Sequence, residues 1–209
     1  TCPFKRSNYY FSFKNTGLQA QKALYIQNSL SDSARVLIDP NKLSGEGSVA
    51  ISRYTYGVSN DGKYIAYGLC RNGSDWNEIY IKDIEKNTLL DDHIKWVKFS
   101  ELSWYKDGFF YSRYSKPAKN KELTDVNQYH EIYYHKVGTP QADDIVVFKN
   151  PDEPKRIYQA EVTHSQKYLI VYEAESSIGN TLYVKNLTKK DDSFTKLTRG
   201  FDYEYLVVH

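Results

Sequence analysis

"NEIYIKD" occupies residues 77–83, and three further stretches share its pattern: "KALYIQN" at 22–28, "HEIYYHK" at 130–136 and "NTLYVKN" at 180–186. Each places an aliphatic residue, a tyrosine and a second hydrophobic or aromatic residue in a row, with a polar tail behind. The marker tyrosines Tyr25, Tyr80, Tyr133 and Tyr183 are spaced by 55, 53 and 50 residues. That period suits a propeller blade at the long end and is too long for ankyrin or tetratricopeptide helices.

Ahead of each marker lies a second aromatic segment: "YYFSF" at 9–13, "KYIAYGL" at 63–69, "FFYSRY" at 109–114 and "KYLIVY" at 167–172. Three of these follow turn-like stretches, "VSNDG", "SWYKDG" and "VTHSQ", in which Asp-Gly is expected to supply the positive φ of a tight hairpin. A further strand follows the marker, as in "IKWVKFS", "DIVVFKN" and "FTKLTRG". Aromatic residues alternate with period two in segments of five to seven residues, which excludes helices. Each unit therefore reads as a four-stranded antiparallel meander, and the chain as an all-β propeller of about four blades.

The expected blades run over 1–52, 53–101, 102–150 and 151–200, with 201–209 opening a further one. The first unit shows no strand before "YYFSF", and "FDYEYLVVH" reads as the first strand of a fifth unit. Such a chain would leave sheet edges unpaired at both ends, so it is expected to be part of a larger propeller. The alternative is a closed four-bladed ring in which "FDYEYLVVH" completes the first blade.

Composition agrees with a β-rich globular chain. Of 209 residues, 20 are tyrosine and 9 phenylalanine, side chains that fit a pleated surface. The 28 basic and 26 acidic residues are interspersed, without the basic stripe of a nucleic-acid binder. No apolar run approaches the roughly 18 residues that span a bilayer. Cys2 and Cys70 allow one disulfide at most and are expected to be two buried thiols. "TCPFKRSNYY" lacks the apolar core of a signal peptide, and the absence of any methionine makes Thr1 an unexpected natural start.

Catalytic motifs are absent. There is no G-x-S-x-G elbow, and Ser48 in "GEGSVA" reads as a turn serine. His130 and His135 cannot form a zinc pair, because their spacing along a strand puts them on opposite faces and no third ligand is near; surface or interstrand histidines are expected. Asp91–Asp92 and Asp143–Asp144 read as solvated loop charges, since adjacent extended residues diverge. "LSGEGS" lacks the lysine of a phosphate loop, and the sequons at Asn72 and Asn186 are weak patterns. No metal or cofactor is implied.

At "NTGLQAQKALYIQNSL" (15–30), "DGKYIAYGLCRNGSDWNEIYIKDI" (61–84), "KWVKFSELSWYKDGFFYSRYSKP" (95–117), "NQYHEIYYHKVGTPQADDIVVF" (127–148), "DEPKR" (152–156) and "GFDYEY" (200–205), the chain resembles the prolyl oligopeptidase family, most of all its bacterial members. The resemblance implies a seven-bladed propeller capping an α/β-hydrolase domain that cleaves short peptides after proline with a Ser-Asp-His triad. This chain would correspond to about the first four blades, with the triad outside it.

By the same resemblance, Phe99 in "VKFS" lies at the pocket for the substrate residue two before the proline, and Ile157 occupies the place of an apolar pocket residue. Asp75 in "GSDW" matches an acid facing the hydrolase domain, with Trp76 packed beneath it. Ala174 and Ser177 stand where mammalian members carry arginine and cysteine. The implied partners are the chain's own hydrolase domain and short proline-containing peptides, within a monomer, in the cytoplasm or periplasm. A stand-alone peptide-binding propeller and the propeller of a peptide cyclase are the alternative readings.

Overall fold

The structure, a computed structural model, describes residues 2–44, 47–118, 126–190 and 193–208. The chain divides into two compact units: residues 1–95 with 137–141, and residues 96–136 with 142–209. Among the described residues the regular elements are strands and two short 3-10 turns, and no helix is long and apolar enough to cross a membrane.

The first unit opens with β1 (Phe4–Arg6), β2 (Tyr9–Lys14), β3 (Ala23–Gln27) and β4 (Arg35–Ile38), hydrogen-bonded in chain order. A second meander follows: β5 (Val49–Val58), β6 (Tyr64–Arg71), β7 (Asn77–Asp83) and β8 (Thr88–Val97), the last two residues of β8 belonging to the second unit. In β7, the sequence "NEIYIKD", burial alternates residue by residue, as a strand with one face on the core requires. Phe11, Leu24, Ile26, Ile65, Leu69 and Ile84, all nearly inaccessible, form the shared core. Full burial of each such side chain contributes about 1.5–3 kcal/mol.

In the second unit β9 (Ser103–Tyr105), β10 (Gly108–Arg113), β11 (Glu131–Lys136) and β12 (Ile145–Phe148) form one meander, and β13 (Ile157–Val162), β14 (Tyr168–Ala174), β15 (Thr181–Asn186) and β16 (Thr195–Lys196) the next. Phe110, Ile132, Tyr158, Leu169 and Val171 pack between them. The marker tyrosines occupy one rung of the repeat, opposite Ser12, Tyr67, Tyr111 and Val171 on the preceding strand. The propeller-blade meander is therefore the repeated unit.

Turns repeat too. Ser59 N–H donates to the Tyr64 carbonyl at 2.9 Å while Tyr64 N–H donates to Ser59 Oγ at 2.9 Å. Thr163 and Tyr168 make the same pair of bonds at 2.9 and 3.0 Å. Positive φ falls on Gly62 (75°) in the first case and Gln166 (59°) in the second.

Two expectations need correction, one before the first aromatic segment and one at a turn. A strand does precede "YYFSF": β1 pairs Phe4 with Phe11, whose rings stack at 5.6 Å. It thereby completes the first meander, leaving no place for "FDYEYLVVH" in that blade. Residues 201–208 carry no strand pairing among the described residues; they are bound beside β15, where Asn180 Oδ1 accepts Tyr205 N–H and Asn180 Nδ2 donates to the Tyr205 carbonyl, both at 2.9 Å. At Asp107-Gly108 the positive φ is on Lys106 (50°), not on the glycine. Gly108 is needed for space, because a Cβ there would lie 2.0 Å from the His135 carbonyl oxygen.

Candidate functional site

Phe99 follows β8 on a turn of unusual backbone. Trp96 (φ 64°) and Phe99 (φ 53°) both adopt the left-handed region, which costs a non-glycine residue roughly 1–2 kcal/mol. The turn leaves Phe99 44% exposed, with the Lys98 ammonium 5.1 Å from the ring centroid. Such a conformation persists only where neighbours over-determine it, and here they do. Tyr114 N–H donates to the Trp96 carbonyl at 3.1 Å. Ser100 Oγ accepts Ser112 N–H and donates to the Glu101 carbonyl, each at 2.8 Å.

A further tether is His130. Its Nδ1 accepts Tyr158 N–H at 3.0 Å, so the ring proton sits on Nε2, which donates to the Lys98 carbonyl at 2.9 Å. The imidazole is 1% exposed, with its ring centroid 4.5 Å from that of Tyr114. Desolvation pushes its pKa down from 6.5 to about 4, partly opposed by the bond to Lys98, so it is neutral near pH 7.

Tyr158 is held at both backbone groups, since its carbonyl accepts Ser112 Oγ at 2.8 Å. With Tyr158 buried in the core, strand parity turns its neighbour Ile157 to the other face, half-buried and directly opposite Ala174. Arg156 closes this end of β13: Nη1 is 2.6 Å from Glu175, Nε 3.5 Å from Glu153, and the guanidinium 4.2 Å from the Phe201 ring. Ser177 is exposed in the loop beyond. Phe99 and Ile157 thus belong to one hydrogen-bonded framework in the second unit.

Asp75 and Trp76 lie in the first unit, in the loop between β6 and β7. Asp75 is exposed and Trp76 half-buried. Asn77 Nδ2 donates to the Asp75 carbonyl at 2.9 Å and Ser74 Oγ accepts Trp76 N–H at 3.1 Å, which fixes the loop's course.

One assignment made from sequence is overturned for two of its four residues, while the histidines take the second of the two placements expected for them, between strands rather than on the surface. His130 is built in as above, and His135, 0% exposed, makes a 2.7 Å contact to Asp144 through Nδ1. Asp144 also accepts the Tyr111 hydroxyl at 2.7 Å with its own side chain fully covered, so it is no solvated loop charge. Asp92 is likewise buried and accepts Gly138 N–H at 2.6 Å. Buried polar groups need partners to offset desolvation, and these four have them. Asp91 and Asp143 are exposed, and Ser48 sits in a turn against Ser44 at 2.8 Å. Among the described residues no group of His, Cys, Asp and Glu could hold a metal ion, and both cysteines are thiols, Cys2 exposed and Cys70 half-buried rather than both buried as expected.

Ser100, Ser112 and Arg156 escaped sequence reasoning, and so did the tethering role of His130. For His130 a signal existed: it is the first residue of the repeated heptapeptide, where the other copies carry Lys22, Asn77 and Asn180. Asn77 and Asn180 both make side-chain bonds to neighbouring backbone from that position.

The family model described as "Prolyl oligopeptidase, N-terminal beta-propeller domain" matches residues 1–209. The chain is 38% identical over 203 residues to a prolyl endopeptidase of Elizabethkingia miricola, covering 97% of this chain and 28% of that protein. It is 34% identical over 228 residues to a dual function macrocyclase-peptidase of Galerina marginata, covering 96% of this chain and 31% of the relative. Among solved structures, prolyl oligopeptidase B of Galerina marginata bound to a 35mer hydrolysis and macrocyclization substrate superposes with a TM-score of 0.87 at 29% identity, over 100% of this chain and 32% of that one. The chain therefore spans under a third of the length of these relatives.

Proposed function

The chain belongs to the prolyl oligopeptidase family, whose N-terminal β-propeller domain it matches from end to end, and we propose that it is the gating portion of a proline-specific serine endopeptidase. In this reading the blades continue past residue 200 into a larger propeller. That propeller limits access to a C-terminal α/β-hydrolase domain, which carries the triad and cleaves short peptides after proline. Phe99 and Ile157 contribute to the substrate pocket, Asp75 and Trp76 meet the hydrolase domain, and one copy works as a monomer.

The observation that carries the reading is the presentation of Phe99. A large ring held half-exposed on a left-handed turn fixed by buried hydrogen bonds is costly for a scaffold and useful for a binding surface. The test is hydrolysis of a succinyl-Gly-Pro reporter by the full-length product, with Phe99→Ala raising KM more than it lowers kcat, because the ring supplies mainly uniform binding. Absence of cleavage after proline would overturn the assignment.

Similarity to macrocyclase-peptidases supports a second output, ligation of the acyl-enzyme to the substrate's own N-terminus. Mass spectrometry of products from a longer peptide separates the two, since the cyclic product is lighter than the hydrolysed one by one water.

A further inference from the structure

Four hydrogen bonds among five residues of the second unit form a circuit around the Phe99 turn. His130 Nε2 donates to the Lys98 carbonyl, Tyr158 N–H donates to His130 Nδ1, Ser112 Oγ donates to the Tyr158 carbonyl, and Ser112 N–H donates to Ser100 Oγ. Lys98 and Ser100 flank Phe99, while Tyr158 adjoins Ile157. The two side chains assigned to the pocket are thus joined through one buried ring.

Comparison within the repeat separates what is structural in His130 from what is not. At the same position of the next copy, Asn180 takes the backbone of the following segment, bonding Tyr205 N–H and carbonyl at 2.9 Å. An asparagine therefore suffices to catch the segment that follows a blade. His130 does that with Nδ1 and adds a second arm, Nε2, reaching the Lys98 carbonyl. A neutral imidazole has one donor and one acceptor, and both are used here, so the ring cannot turn without breaking both bonds.

We propose that His130 is a positioning residue for substrate recognition: its Nε2 arm holds the Phe99 turn at a fixed distance from the strand carrying Ile157, and so sets how the enzyme accepts the substrate residue two before proline. The proposal rests on the pocket reading of Phe99 given above.

The full-length protein tests it with two Gly-Pro reporters, one bearing an aromatic acyl cap at that position and one an acetyl group. His130→Asn keeps the repeat's bond to Tyr158 and removes the arm to Lys98. It should raise KM for the aromatic-capped reporter about fivefold or more, with kcat and the acetyl reporter's KM held within about twofold. His130→Gln, which restores a donor at the Nε2 position, should recover most of the lost discrimination, and thermal melts should show both variants folded. If Phe99→Ala collapses the preference for the aromatic cap and His130→Asn leaves it unchanged, the proposal falls and the pocket reading stands. If Phe99→Ala leaves the preference intact, both fall. Equal loss on the two reporters in His130→Asn, not restored by His130→Gln, would mark His130 as structural only and also overturn the proposal.

Discussion

The Ser112 hydroxyl donates to the Tyr158 carbonyl at 2.8 Å across a contact where each residue is only 1% exposed. Ser112→Ala should leave the carbonyl bare and cost about 1–3 kcal/mol. Urea unfolding of the full-length protein checks this, and an unchanged midpoint would contradict it.

Stability should fall on mild acidification. The His130 pKa is depressed from 6.5 to about 4, so between those values the unfolded chain binds a proton that the folded chain refuses. Stability from this group is complete above pH 6.5 and is lost as pH falls towards 4, by about 3 kcal/mol in all. Burial raises the phenol pKa of the adjacent Tyr114 to about 12 and that of Tyr158 also upward, so neither titrates in this window. Melting temperature against pH should show the decline, and His130→Gln should flatten it.

Phe99→Gly should separate stability from recognition. Glycine relieves a left-handed strain of roughly 1–2 kcal/mol, while its freedom in the unfolded chain returns about 0.5–1 kcal/mol. The unfolding midpoint should therefore stay level or rise, even as KM for an aromatic-capped substrate increases. A clearly lower midpoint would show that the ring packs for stability.

Gly108→Ala should be among the most damaging small substitutions. Its Cβ would meet the His135 carbonyl at 2.0 Å and the Tyr134 ring at 2.8 Å, and the carbonyl belongs to a paired strand that cannot retreat. Overpacking of this kind costs about 1–3 kcal/mol or more. Differential scanning calorimetry gives the answer, and a melt within a degree of the parent would disprove the clash.

The repeat and its rung were legible because side-chain alternation is local: Tyr25, Tyr80, Tyr133 and Tyr183 reveal their strand by their immediate neighbours. The short β1 was not, since Phe4–Arg6 is a strand only by virtue of pairing with Tyr9–Phe11. Asp144 looks solvated in the sequence because burial is set by the layers that fold over it, and its partner His135 lies nine residues away. Phe99 was singled out through resemblance alone, and nothing in "VKFS" announces the left-handed backbone that displays it. The histidine fixing that backbone stood in plain view at the head of a repeat, masked because its partners Lys98 and Tyr158 lie 32 and 28 residues away.

The position shared by His130 and Asn180 also has a direction in time. Tyr158 follows its anchor by 28 residues and Tyr205 follows its own by 25, so in a chain made from its N-terminus each anchor leaves the ribosome before the segment it catches. Assembly would then be vectorial, each finished blade serving as the template on which the next begins. Pulse-labelled amide exchange on nascent chains would register this as protection at Tyr158 preceding protection at Tyr205.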